Sequence, residues 1–124
     1  MQTQVTKKID FKGKELFIGL DVHKKSWSVT IVVDGIEHRT FTQPPDPLVL
    51  INYLQRMFPG GDYKSAYEAG FCGYGIHRGL NSLGINNIVI NAADIPTSQK
   101  DKLQKHDPID SRKIARSLEK GSLR

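Results

Sequence analysis

Two blocks of the chain, "ELFIGLDV" at 15–22 and "SWSVTIVV" at 26–33, are almost wholly apolar or β-branched and are separated by the polar turn His23–Lys25. This pattern predicts two strands in close succession. Asp34-Gly35 then signals a hairpin into "IEHRTFT" at 36–42, since both residues tolerate the positive φ that a tight hairpin turn demands. Three strands in a meander are expected. Past "QPPDP" the apolar period lengthens: Leu50, Ile51, Leu54, Met57 and Phe58 recur at helical spacing until Pro59-Gly60-Gly61. Asp46 fits the cap and Pro47 the first position of this helix. "YKSAYE" at 63–68 predicts a fourth strand. Tyr74–Leu83 predicts a helix with Ile76, Leu80 and Leu83 on one face and Gly84 as its stop, and "NIVI" at 87–90 a fifth strand.

A last helix is predicted within "KHDPIDSRKIARSL" at 105–118, where positions 107, 110, 111, 114, 115 and 118 share one face. The order is therefore β-β-β-α-β-α-β-α, and the fold class is α/β: a mixed five-stranded sheet with helices packed on its faces. No internal repeat or low-complexity tract interrupts it. Residues 91–106, "NAADIPTSQKDKLQKH", are polar and weakly patterned, with a short helix expected near Ser98–Gln104 and mobility expected without a partner.

The length of 124 residues suits one domain, with 1–14 as an N-terminal tail and 15–124 as the folded unit. The single cysteine, Cys72, excludes a disulfide framework, and the histidines at 23, 38, 77 and 106 lack ligand spacing. The start "MQTQVTKKID" has no apolar leader core and no stretch approaches the roughly 18 apolar residues of a spanning helix. A cytoplasmic protein without membrane contact is expected. Net charge is +5, and residues 98–124 hold eight Lys and Arg against four Asp and Glu, so most of the excess sits at the C-terminal end. Such a segment suits a polyanion, with nucleic acid foremost; Lys105, Arg112, Lys113 and Arg116 are the candidate contacts. A solvated helix face would account for the same charges.

Four acids stand out against this background. Asp21 interrupts an apolar strand, where a buried charge is costly unless paired or bound to a cation. Glu68 ends the fourth strand just before the Gly-rich turn "AGFCGYG". Open sheets place ligands beyond C-terminal strand ends, so both carboxylates share a crevice if the first and fourth strands are parallel neighbours, about 4.8 Å apart. Asp107, followed by Pro108, and Asp110 would serve as ordinary cap and first-turn acids. Yet they continue the stripe of Ile114, Ala115 and Leu118, which directs them inward while Arg112, Lys113, Arg116 and Lys120 face out. Inward carboxylates opposite Asp21 and Glu68 would raise one another's pKa unless a divalent cation neutralised them. Oxygen donors of this kind favour Mg²⁺ or Mn²⁺ over zinc.

The stretches "FIGLDVHK", "YEAGFCGYG" and "KHDPIDSRKIARSL" resemble, in order and spacing, the N-terminal catalytic domain of DEDD-type transposases. These are insertion-sequence recombinases that include Piv-like DNA invertases and bridge-RNA-guided enzymes. The resemblance covers roughly residues 15–120. It implies an RNase H-like (RuvC-like) fold, with Asp21, Glu68, Asp107 and Asp110 as the catalytic, metal-binding acids. It also implies DNA strand cleavage and transfer during transposition, and as partners DNA, a guide (bridge) RNA in some members and a second copy in a homo-oligomeric full-length enzyme. His106 and Ser111 stand where the last family motif more often has Thr and Ala. Members carry a further C-terminal domain with a serine used in strand transfer; the chain ends at Arg124, and a fragment is expected. Ser26, Ser98 and Ser111 have no neighbouring base that would mark a nucleophile.

Other features weigh less. "GFCGYG" reverses the dinucleotide fingerprint, and its glycines suit a tight turn, so no organic cofactor is assigned. Trp27 and Tyr74 are base-stacking candidates but more commonly core residues, and His23 is expected in an exposed turn. Two rival classes remain. An actin-like-fold phosphotransferase would need a Gly-rich phosphate loop after Asp21, where His23-Lys24-Lys25 stands. A non-catalytic nucleic-acid-binding module would need the basic face but no acids.

Overall fold

The computed structural model describes residues 10–69, 74–90 and 111–121. Its elements are β1 (Glu15–Val22), β2 (Trp27–Val33), β3 (Ile36–Gln43), α1 (Pro47–Met57), β4 (Asp62–Glu68), α2 (Gly75–Ser82), β5 (Asn86–Ile90) and α3 (Ser111–Glu119). The five strands form one sheet in the order β3-β2-β1-β4-β5. β1, β2 and β3 pair antiparallel, whereas β1 with β4 and β4 with β5 pair parallel. This is an α/β fold with a mixed sheet and three helices, compatible with the RNase H-like expectation.

Local chemistry explains the joints. Asp34 and Gly35 adopt φ of 53° and 79°, the all-positive turn whose twist matches a two-residue hairpin. Asp46 caps α1, its Oδ1 accepting from the Leu48 amide at 2.9 Å, and Pro47 follows at the first position. The helix buries Leu50, Ile51 and Leu54. Met57, which the spacing places on the same stripe, is instead 44% exposed. The helix ends there, and Phe58 at the C-cap turns under it to fill the core. Phe11, within the stretch that patterning leaves as tail, packs edge-on against Phe58 with ring centroids 4.9 Å apart, and its amide donates to the Pro59 carbonyl.

Strand alternation divides the apolar set between two layers. Leu16, Ile18 and Leu20 of β1 face α1 and α2 in the main core with Trp27, Val29, Leu50, Leu54, Tyr67 and Leu80. Trp27 is thereby a core residue, whereas Tyr74 is exposed. The other face carries a smaller cluster of Ala66, Ile90 and Ile114, with Ile88 and Leu118 packed against it. α3 covers this face. Its buried residues include Ile114 and Ala115, and Leu118 is partly buried, as the helical period predicts; Ser117 is buried as well. The last turn is tied to the hairpin, where the Gly35 amide donates to Glu119 Oε2 at 2.6 Å.

Candidate active site

α3 crosses β1 at Gly19. A β-carbon on Gly19 would collide with the Ser111 carbonyl and would stand 2.6 Å from the Ala115 nitrogen, so glycine alone permits the helix to lie this close. Thr30, the partner of Gly19 across the β1–β2 ladder, holds the Ser111 hydroxyl at 2.7 Å. Ser111 is 1% exposed. The first described turn of α3 is thus fixed two residues from Asp21.

Asp21 lies on the same face of β1 as Gly19, opposite Ser28 of β2. The parallel register of β1 on β4 runs from Glu15↔Asp62 to Leu20↔Tyr67, and one further step sets Asp21 beside Glu68. Glu68 shares its face with Ala66, under α3. Both carboxylates therefore occupy the C-terminal ends of adjacent parallel strands. Their proximity has an electrostatic signature: burial, and then the Asp21 charge, push the Glu68 carboxyl above the ordinary carboxylate pKa. Asp21 keeps 20% of its side chain exposed, and His23 Nε2 approaches its Oδ1 at 3.2 Å. His23 is in an exposed turn, and its contact with Asp21 was legible only as two positions on one strand face.

Asp107, Asp110 and Lys105 lie outside the described residues. Among the described residues, no group of three or more His, Cys, Asp or Glu is placed to hold a metal. The candidate basic face behaves differently from a bare polyanion surface. Arg112 Nε and Arg116 Nη2 each donate to Glu37 of β3 at 3.3 Å. The Thr40 hydroxyl, above all, holds the Glu37 carboxyl below its usual range; desolvation opposes it, and the two arginines add to the lowering. Lys113 is half-buried and has a partner of its own. Glu37 was not legible as an anchor, because its two arginines are 75 and 79 residues away.

No family model matches the chain. The chain is similar to "Transposase for insertion sequence element IS1533" of Leptospira borgpetersenii, 27% identical over 108 residues, which is 85% of this chain and 31% of that protein. It is also similar to "Putative transposase y4rJ" of Sinorhizobium fredii, 43% identical over 51 residues, 41% of this chain and 13% of that protein. The chain thus spans less than a third of the relatives it matches. Both relatives are named as transposases. The insertion-sequence kind is the one that the Leptospira relative's name gives. No helix among the described residues is long and apolar enough to cross a membrane.

Proposed function

We propose that this chain is the RNase H-like catalytic domain of a DEDD-type insertion-sequence transposase and that Asp21, Glu68, Asp107 and Asp110 hold Mg²⁺ or Mn²⁺ against a DNA phosphate. The observation that carries the reading is the parallel pairing of β1 with β4, which sets two carboxylates side by side at their strand ends. The raised pKa of Glu68 supports the fit: two half-buried acids of like charge favour a hard divalent counter-ion, and their oxygens are its natural donors. In the sequence Asp110 immediately precedes Ser111, the residue seated on Gly19. Asp107 precedes Asp110 by three residues. When bound, the ion would neutralise charge developing on the scissile phosphate.

In this reading the pairing of Asp21 with Ser28 of β2 orients its carboxylate, and the partial burial of Glu68 weakens the screening of the pair by water. Arg112 and Arg116, steered by Glu37, border the DNA path with Lys105 and Lys113. Ser111 is no nucleophile, because its hydroxyl is buried and committed to Thr30; another group would make the attack, and DNA, a guide RNA and a second copy would be the partners. Thermal melts test the metal site. Mn²⁺ should raise the melting temperature of the wild-type chain over that in EDTA and should do so far less for Glu68→Gln and Asp107→Asn. Equal shifts in all three proteins would sink the metal reading.

A further inference from the structure

The sheet has a second feature on the opposite face, unrelated to the acids. β3 is an edge strand, and between it and α1 lies an open groove of about 370 Å³ lined in part by Phe41, Gln43, Val49, Tyr53 and Arg56. That volume is at the lower end of the roughly 300–1,000 Å³ typical of ligand sites. Phe41 and Tyr53 are only partly buried and form a tilted pair with centroids 4.6 Å apart. Arg56 places its guanidinium carbon 5.7 Å from the centre of the Tyr53 ring, and Arg39 Nε donates to the Tyr53 hydroxyl at 3.2 Å. Among the described residues neither arginine meets a carboxylate within ion-pair distance.

We propose that this β3–α1 groove binds an unpaired nucleic-acid strand, with a base stacked on the Phe41–Tyr53–Arg56 surface and adjoining phosphates held by Arg39 and Arg56. Three properties select that occupant. Flat rings and a guanidinium plane offer stacking surface to any base. The two arginines supply positive charge that no carboxylate among the described residues neutralises, which complements a phosphate backbone. The faces of bases within a duplex are covered by their neighbours, so the aromatic part of the surface can serve only an unpaired strand. The groove lies on the α1 side of the sheet and Asp21 and Glu68 on the α3 side, so the proposal uses none of the residues of the metal reading.

The test is fluorescence anisotropy with the whole chain in EDTA, which leaves the acids without metal. The probes are labelled oligothymidylate and oligouridylate of about 15 nucleotides and a duplex of the same length. Both single strands should bind more tightly than the duplex, and the tighter of the two identifies DNA or RNA as the source. Tyr53→Leu and Arg56→Ala should each weaken single-strand binding about tenfold, the size of a lost stacking contact, while Tyr53→Phe should bind as wild type. Arg78→Ala, which removes one positive charge from α2, reports the loss due to charge alone and should be much smaller. Arg56 is exposed, so its variant keeps the test valid if Tyr53→Leu unfolds. Duplex binding as tight as single-strand binding, or equal losses for Arg56→Ala and Arg78→Ala, would overturn the proposal. A dimer that Tyr53→Leu dissociates without loss of oligonucleotide binding would do the same, because the groove would then be an interface between copies.

Discussion

The carbonyl of Ser111 occupies the space that a β-carbon on Gly19 would need. The contact is backbone against backbone, so no rotamer change can relieve it. Gly19→Ala should therefore push α3 off the sheet and cost about 3 kcal/mol, at the upper end of ordinary overpacking. Urea denaturation measures it as a lower midpoint at unchanged slope. Gly75→Ala is the contrasting case: nothing stands within 4 Å of a β-carbon there, and the change should leave stability unaltered or slightly raised. Similar losses at both positions would mean that α3 does not lie where the structure places it.

Thr30 joins the same contact through its side chain. Its hydroxyl lies 2.7 Å from that of Ser111 and 3.0 Å from that of Thr40. Thr30→Val should leave the buried Ser111 hydroxyl without its partner and cost about 1–3 kcal/mol. Ser111→Ala in the Thr30→Val background should recover part of that loss, because a buried unsatisfied group disappears. A double-mutant cycle from denaturation midpoints reads the coupling directly. Strict additivity would show that the two hydroxyls do not depend on each other.

Glu37 ties β3 to the outer face of α3, and its lowered pKa fixes the direction of its effect. A carboxyl held more acidic in the folded state stabilises above its unfolded pKa, and that contribution is lost as pH falls through the folded value. Glu37→Gln should thus remove part of the acid-side loss of stability, with little change below the folded pKa. The stabilising effect of Glu37 at neutral pH should also shrink with added salt, since the pairs with Arg112 and Arg116 are solvent-accessible. Melting curves across pH and salt check both. A salt-independent difference between the two proteins would assign the anchor to the Thr40 hydrogen bond alone.

What the sequence disclosed and what it withheld divide along the range of the interactions. The Asp34-Gly35 turn, the Asp46–Pro47 cap and the inward stripe of Ile114, Ala115 and Leu118 follow from rules spanning a few residues, and the structure bears each out. The pairing of β1 with β4 could be stated only as a condition, because a parallel register is set by packing across a crossover and not by local pattern. Met57 fits the helical period but misses the core, since a period describes direction and not where a helix stops. The Glu37 anchor and the Gly19 crossing have no local signature at all. Asp21 was legible as a charge in an apolar strand and Glu68 as an acid at a strand end, and the structure brings those two together; Asp107 and Asp110 lie outside the described residues.

That pair yields the most direct test of the site. Burial and the Asp21 charge raise the Glu68 pKa above the ordinary value of 4.5, so the native state holds this proton more tightly than the unfolded chain does. The stability it contributes is complete below the unfolded pKa and is lost as pH rises through the raised folded value. In EDTA, Glu68→Gln should therefore gain stability relative to wild type as pH increases from about 4 to about 7, because the amide stays neutral. Asp21→Asn should move the Glu68 titration back toward acid while leaving the larger effect of burial in place. Mn²⁺ at neutral pH should reverse the ranking, making wild type more stable than Glu68→Gln, since the like charges that oppose folding then become ligands. Denaturation midpoints under the three conditions decide it: a Glu68→Gln protein less stable than wild type at neutral pH in EDTA would show that Glu68 is held by a stabilising partner and is not a strained half of an acid pair.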